Sequence, residues 1–181
     1  MIHTAPRNSR ASHSRAGHFG LMIAALLGIV PVAGHAASAA RIIVYPIDFI
    51  DTSHEPGDQA ADHARRTQIM AAAASDELGR QAATTSEALA ADTVQARCPT
   101  RDTDCLLGIG KAAGATAIAV VTVHKVSSLI MNMSLRLVDP QTNRSLLERE
   151  MSFRSDSDDA WRRAGKYLAG EIEDGLASPR S

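Results

Sequence analysis

Between residues 129 and 138 apolar and polar side chains alternate: Leu129, Met131, Met133, Leu135 and Leu137 fall on one side of an extended chain, Asn132, Ser134 and Arg136 on the other. That period of two predicts a strand with one buried and one wetted face. Residues 115–126, just before it, are β-branched and apolar on both sides at their start, which predicts a strand in the interior of a sheet. Ser127 and Ser128 lie between the two and predict a tight antiparallel hairpin. A turn over residues 139–143 leads to a further strand over 145–153, with Leu147, Met151 and Phe153 on one face, so the three strands form a meander.

Upstream, residues 41–49 are a short apolar, β-branched run that predicts a buried first strand; Pro46 lacks a donor, so the ladder must break there or lie at an edge. Residues 50–58 are polar and contain Pro56 and Gly57, a loop. Residues 59–81 are rich in Ala, with Met70, Ala74 and Leu78 at helical spacing. Thr84 and Thr85 mark a short strand, and Ser86 offers an N-cap to a short helix carrying Leu89, Ala90 and Val94. A helix over 106–113 has Asp102, Thr103 or Asp104 as cap and Gly114 as its stop. Residues 155–159, Ser-Asp-Ser-Asp-Asp, set carboxylates at a helix start, where the macrodipole favours them; Trp161, Gly165, Leu168, Ile172 and Leu176 then mark one apolar stripe. The order β-α-β-α-α-β-β-β-α predicts an α+β fold: a single mixed sheet of four to five strands, an antiparallel C-terminal meander, and helices packed on the sheet.

The first 39 residues have a different pattern. Arg7, Arg10 and Arg15 form a basic stretch before the apolar run 19–32, and the first acidic residue is Asp48. At 1.5 Å per residue this run would reach about 21 Å, short of the roughly 30 Å core of a bilayer. Gly34-His35-Ala36 and Ala37-Ser38-Ala39 both fit a signal peptidase, so residues 1–39 read as a cleavable Sec-type signal cut after Ala36 or Ala39. Residues 40–177 would be one domain and residues 178–181 a frayed tail. The expected location is periplasmic or secreted, with no membrane span after cleavage.

Composition narrows the function. Residues 40–181 hold 16 basic and 20 acidic side chains and five aromatics, too acidic and too poor in stacking groups for nucleic acid. Cys98 and Cys105 lie in a polar loop; for an exported protein a bridge is the default. A structural zinc site lacks its four ligands there, and a redox pair favours the closer C-x-x-C.

The densest polar grouping is Asp48, Asp51, Glu55, Asp58 and Asp62 with His54 and His63. Asp48, Asp51, His54 and Glu55 are the candidates for a metal or small ligand, although the spacing is not that of an EF-hand and carboxylates before a helix are commonly caps. Gly108-Ile109-Gly110-Lys111 is no phosphate loop, since its glycines fall within a helix rather than between a strand and a helix. Lys125 with Ser127 lacks a third orienting group, and His124 reads as a satisfied strand histidine. No catalytic residue and no cofactor is implied.

Several segments carry a family likeness: residues 47–53 (Ile-Asp-Phe-Ile-Asp-Thr-Ser), the two-cysteine loop and helix running to Gly114-Ala115, residues 123–132 (Val-His-Lys-Val-Ser-Ser-Leu-Ile-Met-Asn), and Ala160-Trp161-Arg162-Arg163. On these the chain resembles the DUF2380 family of small exported bacterial proteins of unknown function, over residues 41–170. The order of elements also resembles the N-terminal domain of TolB and envelope assembly proteins of the CsgG type, a likeness of fold. It implies a non-enzymatic domain that contacts another envelope protein. The competing expectation is a small-ligand or metal-binding protein, or an enzyme, using the acidic loop from Asp48 to Asp62.

Overall fold

The computed structural model describes residues 39–81 and 84–177. Its elements are β1 (Ala40–Val44), β2 (Asp48–Asp51), α1 (Ala60–Leu78), β3 (Thr84–Ala88), α2 (Ala91–Arg97), α3 (Thr103–Ala112), β4 (Ala117–Ser127), β5 (Ile130–Asp139), β6 (Arg144–Phe153) and α4 (Asp158–Ala177). This is the expected α+β arrangement on one mixed sheet. The strand order is β3-β1-β4-β5-β6, with β2 beside β4. β1 is parallel to β3 and β4, β2 is parallel to β4, and β4, β5 and β6 form the antiparallel meander. The expected signal segment and frayed tail lie outside the described residues. Among the described residues no helix is long and apolar enough to cross a membrane.

The run 41–49 breaks at Pro46, as its missing donor requires, and forms two strands; β2 resumes beside β4 after three intervening residues. Two local expectations are corrected. Ser86 caps no helix: it sits inside β3 opposite Ile42, where pairing with the central strand outweighs its capping preference, and α2 starts only at Ala91. The hairpin turn is Ser128-Leu129 rather than Ser127-Ser128, since a bulge between Lys125 and Ser127 moves the register and leaves Leu129 69% exposed.

The α3 cap is as expected, with Asp102 accepting from the Cys105 amide at 2.9 Å. Cys98 and Cys105 are bonded to each other, their Cα atoms 5.8 Å apart, tying the end of α2 to the start of α3. α1 and α4 cover one face of the sheet, packing Met70, Leu78, Trp161 and Leu168 on Val121, Val123, Met133 and Leu135. α2 and α3 cover one end of the other face, where Val94, Leu107 and Ile109 meet Ile43, Tyr45 and Ile118. The Tyr45 hydroxyl donates to the Leu106 carbonyl at 2.6 Å; burial pushes its pKa up to about 12.

Candidate functional site

The side-chain alternation of β4 puts Lys125 on the same face as Val121 and Val123, so its ammonium points into the layer between sheet and helices. Lys125 is 0% exposed. It donates to Gln59 Oε1 at 2.8 Å, Glu55 Oε2 at 2.9 Å and Asp156 Oδ2 at 3.1 Å. An ammonium has three protons, and here each has an acceptor.

Asp156 is equally occupied. Its Oδ1 accepts from Trp161 Nε1 and from Arg66, both at 2.9 Å, and its Oδ2 from Lys125 and from His63 Nε2 at 2.9 Å. A carboxylate offers about four lone-pair directions, and four donors fill them. An ionised carboxylate only accepts, so the His63 ring holds its proton on Nε2. The ring lies against Phe49, centroids 4.3 Å apart, and Phe49 and Phe153 flank Trp161.

Burial alone would raise the Asp156 carboxyl; hydrogen bonds from His63, Trp161 and Lys125, with the Arg66 charge, outweigh it and hold the group below its ordinary value. Burial likewise favours the neutral form of Lys125, but Glu55 and Asp156 hold its pKa above the usual lysine value. The opening loop is pinned by the same lysine: Glu55 also accepts from the Ser128 amide at 2.6 Å. The two bonds hold the Glu55 carboxyl below its normal range, Lys125 being the stronger cause. Arg65 and Arg66 of α1 reach Asp158 at the start of α4, closing the polar layer outward.

Of the four candidates read from the sequence, the structure brings Asp51 and Glu55 together beside Lys125 and leaves the other two apart. Asp51 accepts from the Ser53 hydroxyl and amide at 2.7 and 2.8 Å, which lowers its pKa, and lies 3.9 Å from the lysine. Asp48 pairs with Arg101 at 2.9 Å. His54 is exposed, in a left-handed backbone conformation with φ 54°. Among the described residues no group of three His, Cys, Asp or Glu side chains is placed to hold a metal ion. His124 Nε2 lies 2.6 Å from Thr52 Oγ1, a satisfied strand histidine as read.

Sequence reasoning missed Lys125, Asp156 and His63 as one unit. The first was detectable, since a lysine in phase with a run of buried valines must find partners. Asp156 was hidden among caps: Ser157 caps α4, its Oγ accepting from the Ala160 amide at 3.4 Å, while Asp156 turns inward.

A cavity of about 480 Å³ opens beside this layer between β2 and α1, lined by Ile47, Phe49, Asp51, Glu55, His63 and Ala64 among others. At the same end, Ile50, Val126, Leu129 and Ile130 are exposed, four of the five large apolar side chains exposed among the described residues.

The family described as "Protein of unknown function (DUF2380)" matches residues 40–172, and the chain belongs to it. No curated protein matches. Among solved structures, TolB from Acinetobacter baumannii is similar with a TM-score of 0.50 at 15% identity, over 78% of this chain and 29% of TolB, so the chain spans well under half of that protein. The PelC dodecamer from Paraburkholderia phytofirmans gives 0.49 at 10% identity, over 80% of this chain and 91% of that one. Lipoprotein GNA1162 from Neisseria meningitidis gives 0.44 at 18% identity, over 78% and 99%. The TolB likeness is one of fold.

Proposed function

We propose that this member of the DUF2380 family is an exported protein that works without catalysis, by contact with another protein of the bacterial envelope. The observation that carries the reading is the gathering of Ile50, Val126, Leu129 and Ile130 at one end of the sheet, where half or more of Ile50 and Leu129 stays in water. A cluster of large apolar side chains at one place on a small domain marks a contact surface. The polar layer beneath argues against chemistry, since Lys125 and Asp156 have their hydrogen-bonding capacity taken up inside the molecule. The basic and apolar leader, the Cys98–Cys105 bond and the resemblance to envelope assembly domains support export.

A photo-crosslinking residue at Leu129 in living cells tests the contact. A covalent adduct with one envelope protein is expected, and a chain that stays uncrosslinked and monomeric under those conditions refutes the reading. The cavity lined by Asp51, Glu55 and His63 favours a second reading, a small-ligand or metal site. There, a ligand at 100 times its dissociation constant adds about 2.7 kcal/mol to stability. A panel of divalent and trivalent cations that leaves the melting temperature unchanged, with Asp51→Asn silent, retires it.

A further inference from the structure

We propose that contact is made by strand addition: an extended segment of the partner pairs with the free edge of β2 and lies in the groove between that edge and α1. This deepens the contact reading above and rests on it.

β1 has a neighbour on each side, β3 and β4, whereas β2, which continues its line, has only β4 among the described residues. β3 stops at Ala88 opposite Val44; Leu89 then donates to the Val44 carbonyl at 2.9 Å and the chain turns off into α2. Among the described residues, the lane that β3 would have followed is therefore vacant beside residues 47–51. The Thr52 amide donates to the Lys125 carbonyl, so alternation directs Ile50 and Asp48 to β4. The amide and carbonyl groups of Phe49 and Asp51 face the vacant lane. An unpaired strand edge is a template for another chain.

The lane is walled. The cavity of about 480 Å³ between Phe49, Asp51 and α1 adjoins a second of about 560 Å³ that runs toward Leu89 and Asp92. The two share Ile47, Ala64 and Thr67 and make one groove. Its helical wall, from Ala60 to Ala71, rises about 16 Å, room for about five residues of extended chain.

The walls also state the partner's chemistry. Side chains of an added strand alternate between the two faces of the sheet. On the α1 face they meet Asp51 and Glu55, which with Asp156 set three carboxylates around the single ammonium of Lys125; at the far end, on the α2 side, stand Asp92 and Arg101, the latter engaged by Asp48. On the other face they lie beside Ile50. The segment that fits is basic on one side and apolar, β-branched on the other.

The probe is an acetylated, amidated hexapeptide of alternating Lys and Val, titrated into the purified, disulfide-bonded protein and followed by amide NMR and hydrogen exchange. We expect shifts confined to residues 47–51 and 60–67 and at least tenfold slower exchange at Phe49 and Asp51. A Glu-Val peptide should bind at least tenfold more weakly, and so should the Lys-Val peptide to Ala64→Trp, a substitution at an exposed helix position that fills the groove. Binding indifferent to peptide charge or to Ala64→Trp, shifts elsewhere, or no binding at millimolar peptide would overturn the proposal. So would a dimer of the protein that Ala64→Trp dissolves, which assigns the groove to a second copy. Crosslinkers at Leu129 and Ala64 in cells separate the two levels. Adducts at Leu129 alone keep the contact reading and end strand addition; adducts at neither end both.

Discussion

Lys125 is surrounded by as many acceptors as it has protons, and Asp156 by as many donors as it has lone-pair directions. Such a layer is costly to break from one side, because the remaining partner becomes an uncompensated buried charge. Lys125→Ala is expected to lose about 3 to 5 kcal/mol in urea unfolding. The same layer sets the pH response. Asp156 and Glu55 have folded pKa values below their ordinary ones, so their contribution is complete above the unfolded carboxylate values and disappears as the pH falls through the folded ones. The melting temperature should stay level from pH 7 to about 5 and drop below about 4, following the ordinary carboxylate range. Asp156→Asn should be less stable at neutral pH and show a shallower acid limb. Lys125 acts at the other end: its folded pKa is raised, so its share is intact below the ordinary lysine value and lost as the pH climbs through the folded one.

Between elements, α4 crosses close against α1 at Gly165. A Cβ on Gly165 would collide with the Met70 carbonyl oxygen and stand 3.0 Å from Ala73 Cβ, whereas one on Gly170 would meet nothing within 4 Å. Alanine at both positions gains about 1 kcal/mol of helix propensity. Gly165→Ala should nevertheless destabilise by about 1 to 3 kcal/mol through overpacking, and Gly170→Ala should stabilise by about 0.5 to 1 kcal/mol, both read from thermal melts. These elements were legible to differing degrees. The alternation of Met131, Met133, Leu135 and Leu137 specifies β5 because burial of one face demands it. Asp102 announces α3 because capping is local. Ser86 misleads because its partner, Ile42, lies far away in sequence, and a local cap preference cannot register that pairing. The acidic loop was visible as a cluster, but its meaning was not: two of its carboxylates answer a cation that arrives from β4, while Asp48 answers Arg101 in the loop between α2 and α3.

At the scale of the whole molecule, the Cys98–Cys105 bond closes a short loop, and the chain-entropy estimate for it is about 2 to 3 kcal/mol. Replacing both cysteines by alanine should lower unfolding stability by that amount, and the wild type measured in reductant should lose as much. The export proposed above predicts a mature N-terminus at Ala37 or Ala40, which N-terminal sequencing checks; an intact Met1 on a cytosolic species refutes it. The sheet has one more consequence, for biogenesis. β1 is the first of the described strands to leave the ribosome, and it ends up enclosed between neighbours that begin at Thr84 and Ala117. Until residue 117 has been made, Ile42, Ile43 and Val44 form a sticky ribbon with no native shelter on the β4 side. A chain terminated before that point should therefore yield aggregate rather than a smaller fold.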